Sequence, residues 1–295
     1  MVDCGFVDMC ISAKKERETV MITHILAEEQ RLEQELLEKI SRSEKIWSQA
    51  EMPTEFRDAL IGLLLIQESC EYRGGENYLR YCPQLAPTAE KAAFIAHIGI
   101  EELGHAAQVQ RILTSLGVRV KHSCHLYQEK HILRIFQHPE LFTSWSHVLI
   151  FNYLMDGAAG QQLAEFKNGP YGPWTLMIEA IEEEEMGHVE HGTKGIEEWA
   201  NSQRGLAELQ EALDDWWPLV MDVFGAPDAS SKRTALYRKY NLKQMSNDEA
   251  RSMFFRSVQP LLTRLGLAVE SPCNLSRAYY APNFNRTEGD CILLI

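Results

Sequence analysis

The sequence predicts an all-α protein whose central helices form a bundle able to hold two metal ions. The first observation behind this is a repeated Glu-x-x-His. It occurs as Glu102 and His105 within Glu101-Glu102-Leu103-Gly104-His105, and again as Glu185 and His188 within Glu184-Glu185-Met186-Gly187-His188. On a helix, positions i and i+3 share a face, so each motif presents a carboxylate and an imidazole to one point. Two such helices, together with one carboxylate from each of two further helices, make a di-iron or di-manganese carboxylate bundle. The copies stand 83 residues apart (185 minus 102), each within a long helical pattern. The second observation is negative: period-2 alternation is almost absent, so no sheet is expected.

The elements follow in order. Residues 1–15 are expected to be loosely held. From 14 to 47 the chain reads as a charged amphipathic helix carrying Ile22, Ile25, Leu26, Leu32, Leu36, Leu37 and Ile40, lying on the outside of the body. Pro53-Thr54 opens a helix over about 54–73 that is apolar nearly all round, with Gly74-Gly75 expected to end it. Pro87-Thr88 starts the first motif helix, which stops at Gly117. Residues 118–142 are mixed, and the spacing of His122, His125, His131 and His138 suits no single ligand face. An apolar helix runs from Ser144 to Phe166. Gly169-Pro170-Tyr171-Gly172-Pro173 then makes a turn. The second motif helix spans Trp174 to Ala200, and another helix Gly205 to Phe224, where Trp216-Trp217 read as core. Ser246 caps a last helix over about 246–265, followed by an irregular tail, 270–295. Residues 1–295 are read as one helical domain with its core bundle at about 54–226.

Composition narrows the function. With 45% hydrophobic and 24% charged residues, the chain has an ordinary globular make-up. The net charge of −13 and the lack of a Lys/Arg run argue against nucleic acid as a partner. No stretch is apolar enough for a membrane span, and no signal peptide is evident. Seven scattered cysteines without Cys-x-x-Cys suggest free thiols in a reducing cytoplasm.

The bundle needs a carboxylate on the helix before each motif. Glu68, Glu71 and Glu76 are candidates in the first half, Asp156 and Glu165 in the second. Matched halves should have matched spacings. Glu71 to Glu102 is 31 residues and Asp156 to Glu185 is 29, whereas Glu165 to Glu185 is only 20. Glu71 and Asp156 are therefore chosen, with Glu68 in reserve. An Asp inside an apolar helix is also costly unless paired or metal-bound. Glu101, Glu183 and Glu184 are placed as outward neighbours or as groups behind the ligands. Carboxylate and imidazole donors without thiolate suit iron, or alternatively manganese.

From Ser144 to about Leu267 the chain resembles the phenylacetic acid catabolic family, on the side of the catalytic component of phenylacetyl-CoA epoxidase. Asp156-Gly157-Ala158-Ala159, Tyr171-Gly172-Pro173, Glu184-Glu185 with His188, Trp216-Trp217-Pro218, Phe224-Gly225 and Ser246-Asn247-Asp248-Glu249 carry the resemblance. The 101–105 motif and Cys70-Glu71 extend it toward the N-terminus, so it covers about two thirds of the chain. It implies a ferritin-like four-helix bundle with flanking helices, a di-iron centre, and Asp156 as a ligand in preference to Glu165.

The resulting expectation is a non-haem di-iron oxygenase, with O2 as co-substrate, that epoxidises or hydroxylates a small organic compound. Glu71, Glu102 and His105 would hold one iron, and Asp156, Glu185 and His188 the other. The alternative is a ferritin-like iron-oxidising or metal-binding protein without an organic substrate. No dinucleotide fingerprint or Fe–S cysteine set is present, so an external reductase is implied. A homo- or hetero-oligomer is compatible with this reading. In the family, basic residues precede both motifs. Here Ala92-Ala93-Phe94-Ile95-Ala96-His97 and Ile178-Glu179-Ala180-Ile181-Glu182 stand there instead. The phosphates of an acyl-CoA call for Lys or Arg, so an acyl-CoA and another small compound both stay open.

Overall fold

The computed structural model describes residues 4–119, 133–228 and 231–272, with side chains from Val20 onward except that of Lys232. Among the described residues the chain is helical, without a β-ladder beyond one isolated bridge, Ile46 to Tyr171. This is the all-α, ferritin-like bundle expected. His122, His125, His131 and most of the tail lie outside the described residues.

Two helix pairs make the bundle. Helix α2 (Thr54–Arg80) packs along α3 (Ala89–Ser115). A second rod, α4 (Trp145–Phe151), a π-helical segment (Asn152–Asp156) and α5 (Gly157–Phe166), packs on α6 (Gly172–Trp199). Contact between α3 and α6 brings the two Glu-x-x-His helices together. Helix α7 (Gln203–Val223) lies against α4, and α9 (Asn247–Leu265) against α5.

Local chemistry sets the ends. Thr88, Ser144 and Ser202 each accept a backbone N–H from three residues ahead, capping α3, α4 and α7. At α9, Ser246 accepts from Glu249 N while Glu249 accepts from Ser246 N at 2.7 Å, a reciprocal capping box. Gly266 ends α9 at φ 79°.

Three expectations are corrected. Helix α2 does not stop at Gly74-Gly75; it continues to Arg80. A Cβ on Gly75 would sit 2.8 Å from Gly99 O and 2.9 Å from Leu103 Cγ. These glycines therefore serve close helix approach, not termination. The N-terminal helix α1 begins at Cys4 and stops at Ser41, where Ser43 turns at φ 56°. It docks through its C-terminal half: Leu36 is buried, whereas Val20, Met21, Ile22, Ile25 and Leu26 are exposed. Helix α8 (Lys232–Lys239) was not expected from the sequence. Its Lys239 ties α1 to α2 by pairing with Glu33 at 2.5 Å and Glu55 at 2.6 Å.

Buried apolar residues form two clusters. One joins Ile95 and Ile98 to α4, α7 and α9; the other joins α1, the first half of α2, Val109, Ile112 and Leu113 to α6. Burying each Leu, Ile or Phe contributes about 1.5–3 kcal/mol. Trp216 is core, as expected, with its Nε1–H donated to His147 O at 3.1 Å.

Candidate metal centre

The acidic residues gather where α2, α3, the π segment and α6 face one another. Glu71, Glu102, His105, Asp156, Glu185 and His188 are all buried. Ligand atoms of Glu71, Glu102, His105 and Glu185 lie within 4.8 Å of one another. His105 Nδ1 is 3.0 Å from Glu185 Oε1 and 3.7 Å from Glu71 Oε2. His188 Nδ1 is 3.3 Å from Glu102 Oε1 and 3.9 Å from Glu185 Oε2. Asp156 stands on the His188 side and lines a cavity shared with Glu71, Glu102 and Glu185.

The outer edges of the imidazoles are held by a crossed exchange. His105 of α3 donates Nε2–H to Glu184 of α6 at 2.8 Å, and His188 of α6 donates Nε2–H to Glu101 of α3 at 3.0 Å. A carboxylate only accepts, so both rings carry the proton on Nε2 and turn Nδ1 inward. Each motif's leading Glu thus orients the other motif's His.

Burial and crowding set the charges. Burial, with the charges of Glu71 and Glu185, holds Glu102 well above the usual carboxylate range. Burial also raises Glu185, and it pushes Asp156 up to about 7, with Glu185 adding to the effect. Burial opposes a charge on His105, but Glu185 and Glu71 outweigh it and push the imidazole up to about 11. Glu71 is held low against its burial by His105.

This donor set suits metal: Glu71, Glu102, His105 and Glu185 together could hold an ion. Both inward Nδ1 atoms are buried without a well-directed hydrogen bond, although carboxylate oxygens lie 3.0 and 3.3 Å away, an arrangement that a metal between them would satisfy. Four carboxylates would also offset the charge of two divalent ions.

The remaining candidates are accounted for. Glu68 is buried one turn before Glu71 and accepts Gln110 Nε2–H at 2.9 Å. Glu76 pairs with Arg73 and Arg80. Glu165 accepts the backbone N–H groups of Gln244 and Met245 at 2.9 and 2.8 Å, bracing the turn before α9. Sequence reasoning missed Gln67, Asn152, Tyr78 and His191. Gln67 donates to Glu71, and Asn152 and Tyr78 donate to Asp156. One signal was available: Gln67 and Asn152 each stand four residues before a chosen carboxylate.

On the side away from the histidines lies a cavity of about 60 Å³. Ile66, Leu133, Phe136, Phe151, Met155 and Val223 line it, and no Lys or Arg is among its described walls. Among the described residues, no helix is long and apolar enough to cross a membrane.

Comparison with known proteins gives the chain's kinship. The chain is 27% identical over 257 residues to the A-type component of 1,2-phenylacetyl-CoA epoxidase from Escherichia coli (strain K12), covering 84% of this chain and 79% of that protein. The family profile described as "Phenylacetic acid catabolic protein" matches residues 8–279. With that match spanning nearly the whole sequence, the chain belongs to the phenylacetic acid catabolic protein family.

Proposed function

We propose that this chain is the catalytic component of a di-iron oxygenase that inserts one oxygen atom of O2 into a small organic substrate. The observation that carries the reading is the pair of buried Nδ1 atoms turned inward onto four buried carboxylates, neither in a well-directed hydrogen bond. Glu71, Glu102 and His105 would hold one metal, and Asp156, Glu185 and His188 the other. Iron bound there supplies the O2 chemistry; manganese suits the same donors.

The chain's own residues do the rest. Glu101 and Glu184 fix the imidazole tautomers and raise their basicity. The apolar wall of Phe136, Phe151 and Met155 seats the reacting part of the substrate and keeps water from it. Among the described residues the lining has no cation, so a thioester's phosphates would have to be held outside that part of the cavity. Electrons come from an external reductase, and the work is cytoplasmic.

Iron counting tests the ligand set. The protein loaded anaerobically with Fe(II) should hold two irons per chain, and Glu185→Ala no more than one. Two tightly held irons in that variant would sink the assignment. An iron-oxidising protein without an organic substrate would share these ligands; the apolar wall facing the carboxylates favours the oxygenase. Reduced, loaded protein given O2 and phenylacetyl-CoA as a probe distinguishes them. An oxygenated product supports the first reading, and iron oxidation alone, with this and smaller aromatic probes, supports the second.

A further inference from the structure

We propose that Asn152, Tyr78 and His191 form a clamp that restricts Asp156 to metal binding through one oxygen, making the two metal positions unequal. The inference rests on the ligand reading above and deepens it.

The clamp is read from who donates to whom. Asp156 Oδ2 receives Asn152 Nδ2–H at 2.5 Å and the Tyr78 hydroxyl at 3.0 Å. The same hydroxyl lies 3.2 Å from Oδ1, a weaker approach. A carboxylate oxygen has two lone-pair directions. Both are taken on Oδ2, so Oδ1 is the atom left for a metal.

Asn152 cannot simply turn away. Its Oδ1 faces His191 Nδ1 at 2.8 Å, which leaves its NH2 pointing at Asp156. The His191 ring is in turn stacked on Phe94, with centroids 4.3 Å apart. Helix α6 reaches the π segment because residue 192 is glycine. A Cβ there would meet Tyr153 N at 2.7 Å and Asn152 Oδ1 at 3.1 Å. Three elements therefore converge on one carboxylate.

Glu71 has a different setting. Gln67 also donates to it from four residues upstream, but Gln67 lines the cavity, whereas Asn152 is wholly buried. Gln67 donates to Glu71 Oε1, and Oε2 faces His105. A metal beside His188 would then take one oxygen from Asp156.

Anaerobic titration with Co(II), read by visible absorption, tests the clamp; the variants are Asn152→Leu, His191→Leu and His191→Gln. The wild type should take two Co(II) per chain in distinguishable steps. Asn152→Leu should weaken one step about 10–100-fold, change the band of that step, and leave the other alone. His191→Leu should do the same more mildly. His191→Gln, whose amide can still donate to Asn152, should restore the wild-type band. The histidine pair also reads the clamp if Asn152→Leu fails to fold. Two unchanged steps, two equally weakened steps, or no rescue by glutamine would overturn the clamp while leaving the ligand reading intact. A wild type that takes fewer than two Co(II) would remove the ligand reading, and the clamp with it.

Discussion

At the scale of the residue, the centre depends on which nitrogen faces in. Glu101 and Glu184 decide this from outside by accepting Nε2–H across the helix pair. Glu101→Gln and Glu184→Gln keep the shape but remove the charge that makes each imidazole a better donor. Each should weaken metal binding about 10–100-fold with little change in the melting temperature of the metal-free protein, measured by competition with a chelator. The four motif residues were legible from sequence because Glu-x-x-His is a relation within one helical turn. The crossed exchange was not, since Glu101 and Glu184 meet their partners only through packing. Asn152, Tyr78 and His191 were hidden for the same reason: their meeting joins α2, the π segment and α6.

At the scale of the element, glycine carried the clearest misreading. Gly74-Gly75 looks like a stop, yet α2 runs through it because α3 lies so close that a side chain has no room. Gly75→Val should therefore cost about 1–3 kcal/mol by overpacking and lower the melting temperature, while Gly104→Ala, in open space, should not. Helix α8 escaped notice because Lys232-Arg233-Thr234-Ala235-Leu236-Tyr237-Arg238-Lys239 offers no apolar stripe. The π segment could not be seen either. From Trp145 to Asp156 every residue is buried, so the pattern has no polar face whose rotation would betray a change in helical phase.

For the whole molecule, the all-α bundle was legible because apolar helices of suitable length alternate with strong breakers. Between two apolar clusters it carries a band of acid that is costly without metal. Asp156 has its pKa raised from 3.8 to about 7, so the folded state favours its protonated form. Its contribution to stability is complete below about pH 4 and is lost as pH rises toward 7, on the order of a few kcal/mol. Glu102 and Glu185 are raised too and act in the same direction. His105, raised to about 11, loses its contribution above pH 6.5. The metal-free protein should therefore melt lower at pH 8 than at pH 5, and the stabilisation gained on metal loading should widen over that range. Calorimetry at several pH values would check this; a gap that narrows as pH rises would contradict it. The π segment has a consequence for lineage as well as for chemistry. A π turn behaves as one residue too many in a helix, here spent where Asp156 must point inward. Deleting Leu154 would remove that extra residue and let α4 run straight into α5, re-aiming the side chains of the turn, Asp156 among them, while α5 keeps its seat. Metal counting and a melt of that single-residue deletion should show metal lost with the fold kept. The added residue serves the site and not the bundle.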